Sequence, residues 1–98
     1  MSAPRHDILH EGGERHGAFF IEREGKRVAE LTYRMMGGDA MVDHTWVDPG
    51  SRGGGEARSL VAAVVDWARQ EHLKLVPACS YVRSVFDKTP EYGDVRKG

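Results

Sequence analysis

Cysteine is nearly missing from this chain: Cys79 stands alone in 98 residues. No disulfide can therefore form within it, and a reducing compartment is expected. An excess of either charge is missing too, since 14 Lys and Arg oppose 15 Asp and Glu for a net of -1 at pH 7. No global field draws nucleic acid or an anionic membrane, although local basic clusters stay open. Apolar runs are short, and none approaches the roughly 20 residues that span a bilayer. Met1-Ser2-Ala3-Pro4-Arg5 has no signal-peptide core. These absences predict a cytoplasmic protein, a monomer or weak dimer, without nucleic-acid or membrane partners. Repeats and linkers are absent as well, so residues 1–98 read as a single domain near the lower size limit for folding without staples. His6, His10, His16 and His72 share no metal-ligand spacing and read as surface residues, so no metal is expected. Trp46 and Trp67 read as core or edge fillers, because a base-stacking platform needs a basic surround.

What is present is a hydrophobic pattern that changes period midway. Residues 7–10 read as a short strand, closed by a turn at Glu11-Gly12-Gly13-Glu14. Residues 16–23 are rich in strand formers, and Glu24-Gly25 suits a two-residue hairpin loop. Residues 28–35 return, Gly37-Gly38-Asp39 turns again, and residues 40–47 make a fourth strand that Pro49 stops. Short connections imply an antiparallel meander. Ala57, Leu60, Val61, Val64 and Ala68 then fall at helical spacing with Trp67 at the edge, so a helix runs from about residue 55 to 70. Arg58, Asp66, Arg69 and Gln70 take its solvent side. Residues 74–79 read as a fifth strand, edge or broken because of Pro77, and a right-handed crossover makes it parallel to the fourth. Residues 80–87 suit a short helix capped by Ser80, ended by Thr89-Pro90-Glu91-Tyr92, with residues 94–98 a loose tail. The fold class is α+β: a mostly antiparallel sheet with a parallel fourth and fifth strand pair, one main helix and a short C-terminal helix.

At the change of period lies Val47-Asp48-Pro49-Gly50-Ser51-Arg52-Gly53-Gly54-Gly55-Glu56-Ala57, running directly into Arg58-Ser59-Leu60-Val61. Glycines let backbone N–H groups approach a ligand closely, and the following helix adds unpaired N–H groups and the positive end of its dipole. Such an arrangement attracts phosphate. A Walker loop needs Lys and Ser or Thr after the last glycine, where this chain has Glu56-Ala57. A dinucleotide fingerprint has the Gly53-x-Gly55 spacing but finds Arg58 in its third glycine place, and it wants a parallel sheet.

Arg52-Gly53-Gly54-Gly55-Glu56-Ala57 instead fits Arg/Gln-x-x-Gly-x-Gly/Ala, and so resembles the pyrophosphate loop of the GCN5-related N-acetyltransferases. Thr45-Trp46-Val47-Asp48-Pro49 resembles that family's fourth strand leading into the loop. His44-Thr45, Leu60-Val61, Pro77-Ala78-Cys79-Ser80-Tyr81-Val82 and Glu91-Tyr92 look like its very short subgroup, over residues 8 to 95. The resemblance implies a minimal acetyltransferase fold that binds acetyl-CoA in a wedge between the fourth and fifth strands. Backbone N–H groups of Gly53, Gly54, Gly55, Glu56 and Ala57 would hold the pyrophosphate, with charge from Arg52 or Arg58. Pantetheine would pair with the strand edge at Thr45 and Val47, and an N–H near Thr45 would polarise the thioester carbonyl. Two positions depart from the family pattern. Glu56 stands where an apolar residue is usual, and Gly54 where Lys or Gln is frequent. Either can weaken cofactor affinity, and neither removes the backbone cradle.

Three residues are candidates for chemistry. Cys79 precedes a helix, a place that lowers a thiol pKa, and would border the thioester as an acyl-accepting nucleophile. Its competing reading is a small buried apolar residue. His44 on the fourth strand could take the proton of an attacking amine, provided its face is the right one; otherwise it is a half-buried strand histidine. Asp43 is a lesser candidate. By the resemblance, Tyr81 would protonate the leaving CoA thiolate, with Tyr92 in reserve and packing as the alternative for both. The function expected is transfer of acetyl from acetyl-CoA to an unidentified amine, on a small molecule or a protein. The alternatives are a non-catalytic acyl-CoA-binding or regulatory module and a small protein-interaction domain. Larger relatives shape the acceptor site with early helices that this chain lacks, which points to an open acceptor site.

Overall fold

Ile8–Gly12 (β1), His16–Arg23 (β2), Lys26–Met36 (β3) and Asp39–Val47 (β4) form an antiparallel meander in a computed structural model that describes residues 7–51 and 53–98. The chain then makes a 3-10 turn at Pro49–Ser51, the helix Glu56–Glu71 (α1), the strand Lys74–Pro77 (β5) and the helix Ser80–Lys88 (α2). Sheet order follows chain order, with β5 parallel to β4 at the edge that Pro77 had suggested. The expected hairpin loop is there: Glu24 and Gly25 both take positive φ, 54° and 75°, the pairing that matches strand twist. The α+β architecture read from the pattern is the one observed.

The apolar stripe of α1 decides where the core lies. Leu60, Val61, Val64, Val65 and Ala68 are buried and form one cluster with Ile21, Ala29, Leu31, Val42 and Leu75 of the sheet and Val82, Val85 and Phe86 of α2. Burying one such side chain contributes about 1.5–3 kcal/mol. Val65 widens the stripe beyond the residues that the helical spacing had singled out. Trp67 sits at its rim against Tyr33, ring centroids 4.7 Å apart, and Phe19 at 5.6 Å.

Several local expectations are corrected. Strand β1 runs on to Gly12 instead of turning at Glu11, because Glu11 and Gly12 pair with Ala18 and Gly17. The Tyr33 hydroxyl fills the space that a side chain at Gly12 would need, 2.8 Å from an added Cβ. Strand β5 stops at Pro77, and Cys79, not Ser80, is the N-cap of α2, with Ser80 the first helical residue. The tail is not loose. Val95 is buried, Leu75 donates its N–H to the Val95 carbonyl at 2.6 Å, and Lys97 donates to the Leu75 carbonyl at 2.8 Å. The tail thereby satisfies the outer edge of β5, while Arg69 grips both Asp94 oxygens at 2.9 Å. His10 is exposed on one side but is more than a surface residue. It stacks on Phe19 at 4.0 Å and shares a 2.6 Å hydrogen bond with the Tyr33 hydroxyl. His6 lies outside the described residues.

Two stability predictions arise. Val95→Ala should cost roughly 2 kcal/mol, read as a lower urea midpoint at constant m-value. Burial lowers the His10 pKa below the ordinary imidazole value of about 6.5. The fold thus favours the neutral ring, so this contribution is present above that value and is lost as pH falls through it. The melting temperature should drop between pH 7.5 and pH 5.5 by more in the wild type than in His10→Gln; equal drops would refute the role.

Candidate active site

The site starts where two parallel strands part. Strands β4 and β5 pair only from Asp39 opposite Lys74 to Val42 opposite Pro77. Beyond that point the Val42 carbonyl accepts the N–H groups of both Ala78 and Cys79, each at 3.0 Å, and the chain turns away into α2. Strand β4 continues to Val47 with β3 on one side and, among the described residues, no strand on the other. Thr32 pairs with His44 and Tyr33 with Val42, so Asp43 is an extra residue in a bulge, held by the Thr32 hydroxyl at 2.7 Å. An unpaired strand edge offers N–H and C=O groups to an extended ligand.

The glycine loop closes the far end of this gap. Asp48 anchors it, donating its N–H to the Val28 carbonyl and accepting the Ser51 N–H, both at 2.8 Å. Gly53 and Gly55 then take φ of 94° and 78°, left-handed values that a side chain would strain. Gly55 is the N-cap of α1, so the first N–H groups of the helix open towards the same space. A cleft of about 380 Å³ joins the two features, lined by Thr45, Trp46 and Val47 of β4, by Gly53, Gly55, Glu56, Ala57 and Arg58, and by Tyr81 of α2. Trp46, read as a filler from the sequence, is instead a partly exposed wall of this cleft. Its place next to Thr45 and Val47 on a free edge was the available signal.

Cys79 lies beside the cleft, half-buried and a free thiol, with Sγ 3.3 Å from the Thr45 hydroxyl. Burial alone would raise its pKa. The Thr45 hydroxyl and the backbone N–H groups of Val82, Tyr81 and Thr45 together outweigh burial, and the thiol pKa is lowered. The sulfur makes no close cap bond to the helix, but it sits at the positive end of α2. Thr45 thus links the strand edge to the thiol.

The remaining candidates divide by position. Tyr81 lines the cleft from the first turn of α2. His44 points elsewhere: neighbouring strand residues face opposite sides, and where Thr45 meets Cys79, His44 lies 4.0 Å from the Glu30 carboxylate. Tyr92 packs on Phe86 at 5.7 Å and does not line the cleft. Gly54 sits on the loop without lining the cleft, and Arg52 lies outside the described residues. Glu56 is turned inward, 2 % exposed, and meets the Arg23 guanidinium at 2.9 Å. Among the described residues, no three His, Cys, Asp or Glu side chains gather as metal ligands.

The profile of the GCN5-related N-acetyl-transferase family matches residues 18–95. The chain belongs to the GCN5-related N-acetyltransferase family. A GCN5-like protein of Staphylococcus aureus, solved by NMR, is 33% identical over 98% of this chain and 92% of its own, with a TM-score of 0.69. The ribosomal-protein-S18-alanine N-acetyltransferase of Escherichia coli shares the fold at 22% identity and a TM-score of 0.64. That likeness covers 81% of this chain and 54% of the enzyme, so the chain spans about half of its length. An aminoglycoside N-acetyltransferase solved in complex with CoA has a TM-score of 0.61 at 14% identity, over 84% of this chain and 88% of its own. No curated protein matched the chain. The parted β4 and β5, the glycine loop and the helix after it therefore belong to an acetyltransferase fold.

The thiol can be tested without any substrate. Thr45→Val removes the hydroxyl next to Sγ and should shift the pH profile of Cys79 alkylation by iodoacetamide upwards. An unchanged profile would show that the hydroxyl does not tune the thiol.

Proposed function

We propose that this protein binds acetyl-CoA along the free edge of β4 and passes the acetyl group to an amine. The observation that carries the reading is the Cys79 thiol, 3.3 Å from the Thr45 hydroxyl, standing beside a gap whose other end is the glycine loop. The residues present fit the cofactor. Left-handed Gly53 and Gly55 bring the loop backbone and the N-terminal end of α1 to the cleft, a setting that suits a pyrophosphate, and Arg58, exposed in the cleft, adds charge. Arg52 is assigned to the same task on the sequence pattern. The edge at Thr45 and Val47 suits pantetheine, and the N–H of Thr45 suits the thioester oxygen.

In this reading the Cys79 thiolate attacks the thioester carbonyl. A carbon–sulfur bond to Cys79 forms, the one to CoA breaks, and the CoA thiolate takes a proton from the Tyr81 hydroxyl. The amine then displaces Cys79 as thiolate and keeps the acetyl group, and the proton it sheds restores the Tyr81 hydroxyl. His44, on the sheet face opposite the thiol, lies outside this transfer.

Acetyl-CoA at 100 times its dissociation constant should stabilise the fold by about 2.7 kcal/mol. Amide shifts should concentrate at residues 53–58 and at Thr45 and Val47. Mass spectrometry should find one acetyl group on Cys79, and Cys79→Ser should abolish both the adduct and turnover. Absence of any thermal shift would end the CoA reading. Binding with no adduct and no acetylated amine would make the protein a CoA-binding module.

A further inference from the structure

The two departures from the family pattern, Gly54 and Glu56, form a single arrangement with a third residue that the loop pattern does not contain. Glu56 begins α1, yet its carboxylate folds back under the loop. A Cβ added at Gly54 would lie 2.7 Å from one Glu56 oxygen and 3.1 Å from the other. The carboxylate thus occupies the volume that a Lys or Gln stem would enter at position 54, and only glycine accommodates it without a shift. The carboxylate is held where it is. Glu56 is 2 % exposed, and Arg23, 33 residues earlier at the end of β2, donates from Nη2 to its Oε2 at 2.9 Å. Arg23 has its own support: it immediately precedes the tight Glu24-Gly25 turn, and a bulge between Ile21 and Glu22 re-aims the strand end.

A negative charge beneath an anion cradle opposes the ligand unless a cation offsets it. In a low-dielectric setting the offset matters more than it would in water. We propose that Arg23 is a positioning residue for the glycine loop: through Glu56 it holds Gly53–Ala57 in the shape that receives the pyrophosphate, and it cancels the carboxylate charge there. The proposal rests on the acetyl-CoA reading above. It adds to the loop a residue from the β2–β3 hairpin, and it explains why a Gly-Gly-Gly run, costly to order, stands beside a glutamate.

The test compares wild type with Arg23→Met, Arg23→Lys and Arg23→Met/Glu56→Gln. Two readouts are needed: calorimetric CoA affinity, and amide exchange of the ligand-free loop, with β3 amides as reference. Arg23→Met should weaken CoA binding roughly tenfold and speed exchange at residues 53–57 while β3 is unchanged. Arg23→Lys should retain most of the affinity. Adding Glu56→Gln to Arg23→Met should recover part of it, a recovery that a merely structural role would not produce. CoA affinity and loop exchange unchanged in Arg23→Met would overturn the proposal and leave the CoA reading standing. A loss shared by Lys and not relieved by Glu56→Gln would overturn it as well. A wild type that binds no CoA would end the functional reading, and the exchange arm alone would then decide whether Arg23 orders the loop. Should Arg23→Met fail to fold, Glu56→Gln in the wild-type background decides. It should keep loop exchange and CoA affinity near wild type, because the amide retains the shape without the charge, and a tenfold loss would overturn the proposal.

Discussion

A carbonyl oxygen can accept two hydrogen bonds, and Val42 uses that capacity to end a strand pair. The N–H groups of Ala78 and Cys79 converge on it, so β5 cannot follow β4 any further. Everything that makes a site depends on this divergence. Past Val42 one strand edge is left without a strand partner among the described residues, the thiol of Cys79 is delivered beside the gap, and α2 begins with its positive end beside the sulfur. Had β5 run on through Cys79, as the apolar run suggested, β4 would be paired further along and the cleft would lose that edge. Pro77 contributes by lacking the N–H that a continuing ladder would use.

The rest of the molecule serves to hold the divergence rigid. The outer side of β5 is occupied by the tail through Leu75, Val95 and Lys97, and α1 presses Leu60, Val61 and Val64 onto the strands that remain paired. A four-residue edge strand is marginal by itself. Here it is clamped between β4 and a tail fixed by Arg69 and Asp94, so the apex is defined from both sides.

Legibility in the sequence followed the range of the interactions. The hairpins, α1 and the parallel β4–β5 pair were visible because they rest on local turn chemistry, on periodicity and on the hand of a crossover. What failed to show was set by partners far along the chain. The tail looks loose because Val95 is a lone apolar residue among charges, and only Leu75 makes it core. Ser80 looks like a cap, but two N–H groups drawn to Val42 move the helix start by one residue. Cys79 and the glycine loop could be singled out, whereas their link through the Thr45 hydroxyl could not, since nothing local aims Thr45 at residue 79. His44 was legible as a candidate but not its face, which depends on the strand alternation beyond the Asp43 bulge.

Glu56 carries the same lesson further. Read against a loop pattern, a glutamate beneath a pyrophosphate is a flaw, and a third glycine is a second flaw. In three dimensions the glycine is what the glutamate needs, and the glutamate is what Arg23 meets. A departure at one position becomes intelligible once the compensating residue is found, and here that residue lies on a hairpin outside the loop. Families defined by a short loop pattern can therefore vary inside the pattern when a distant side chain supplies the missing constraint. In the proposed reading the cofactor site is accordingly larger than the loop, reaching from the end of β2 across α1 to the N-cap of α2.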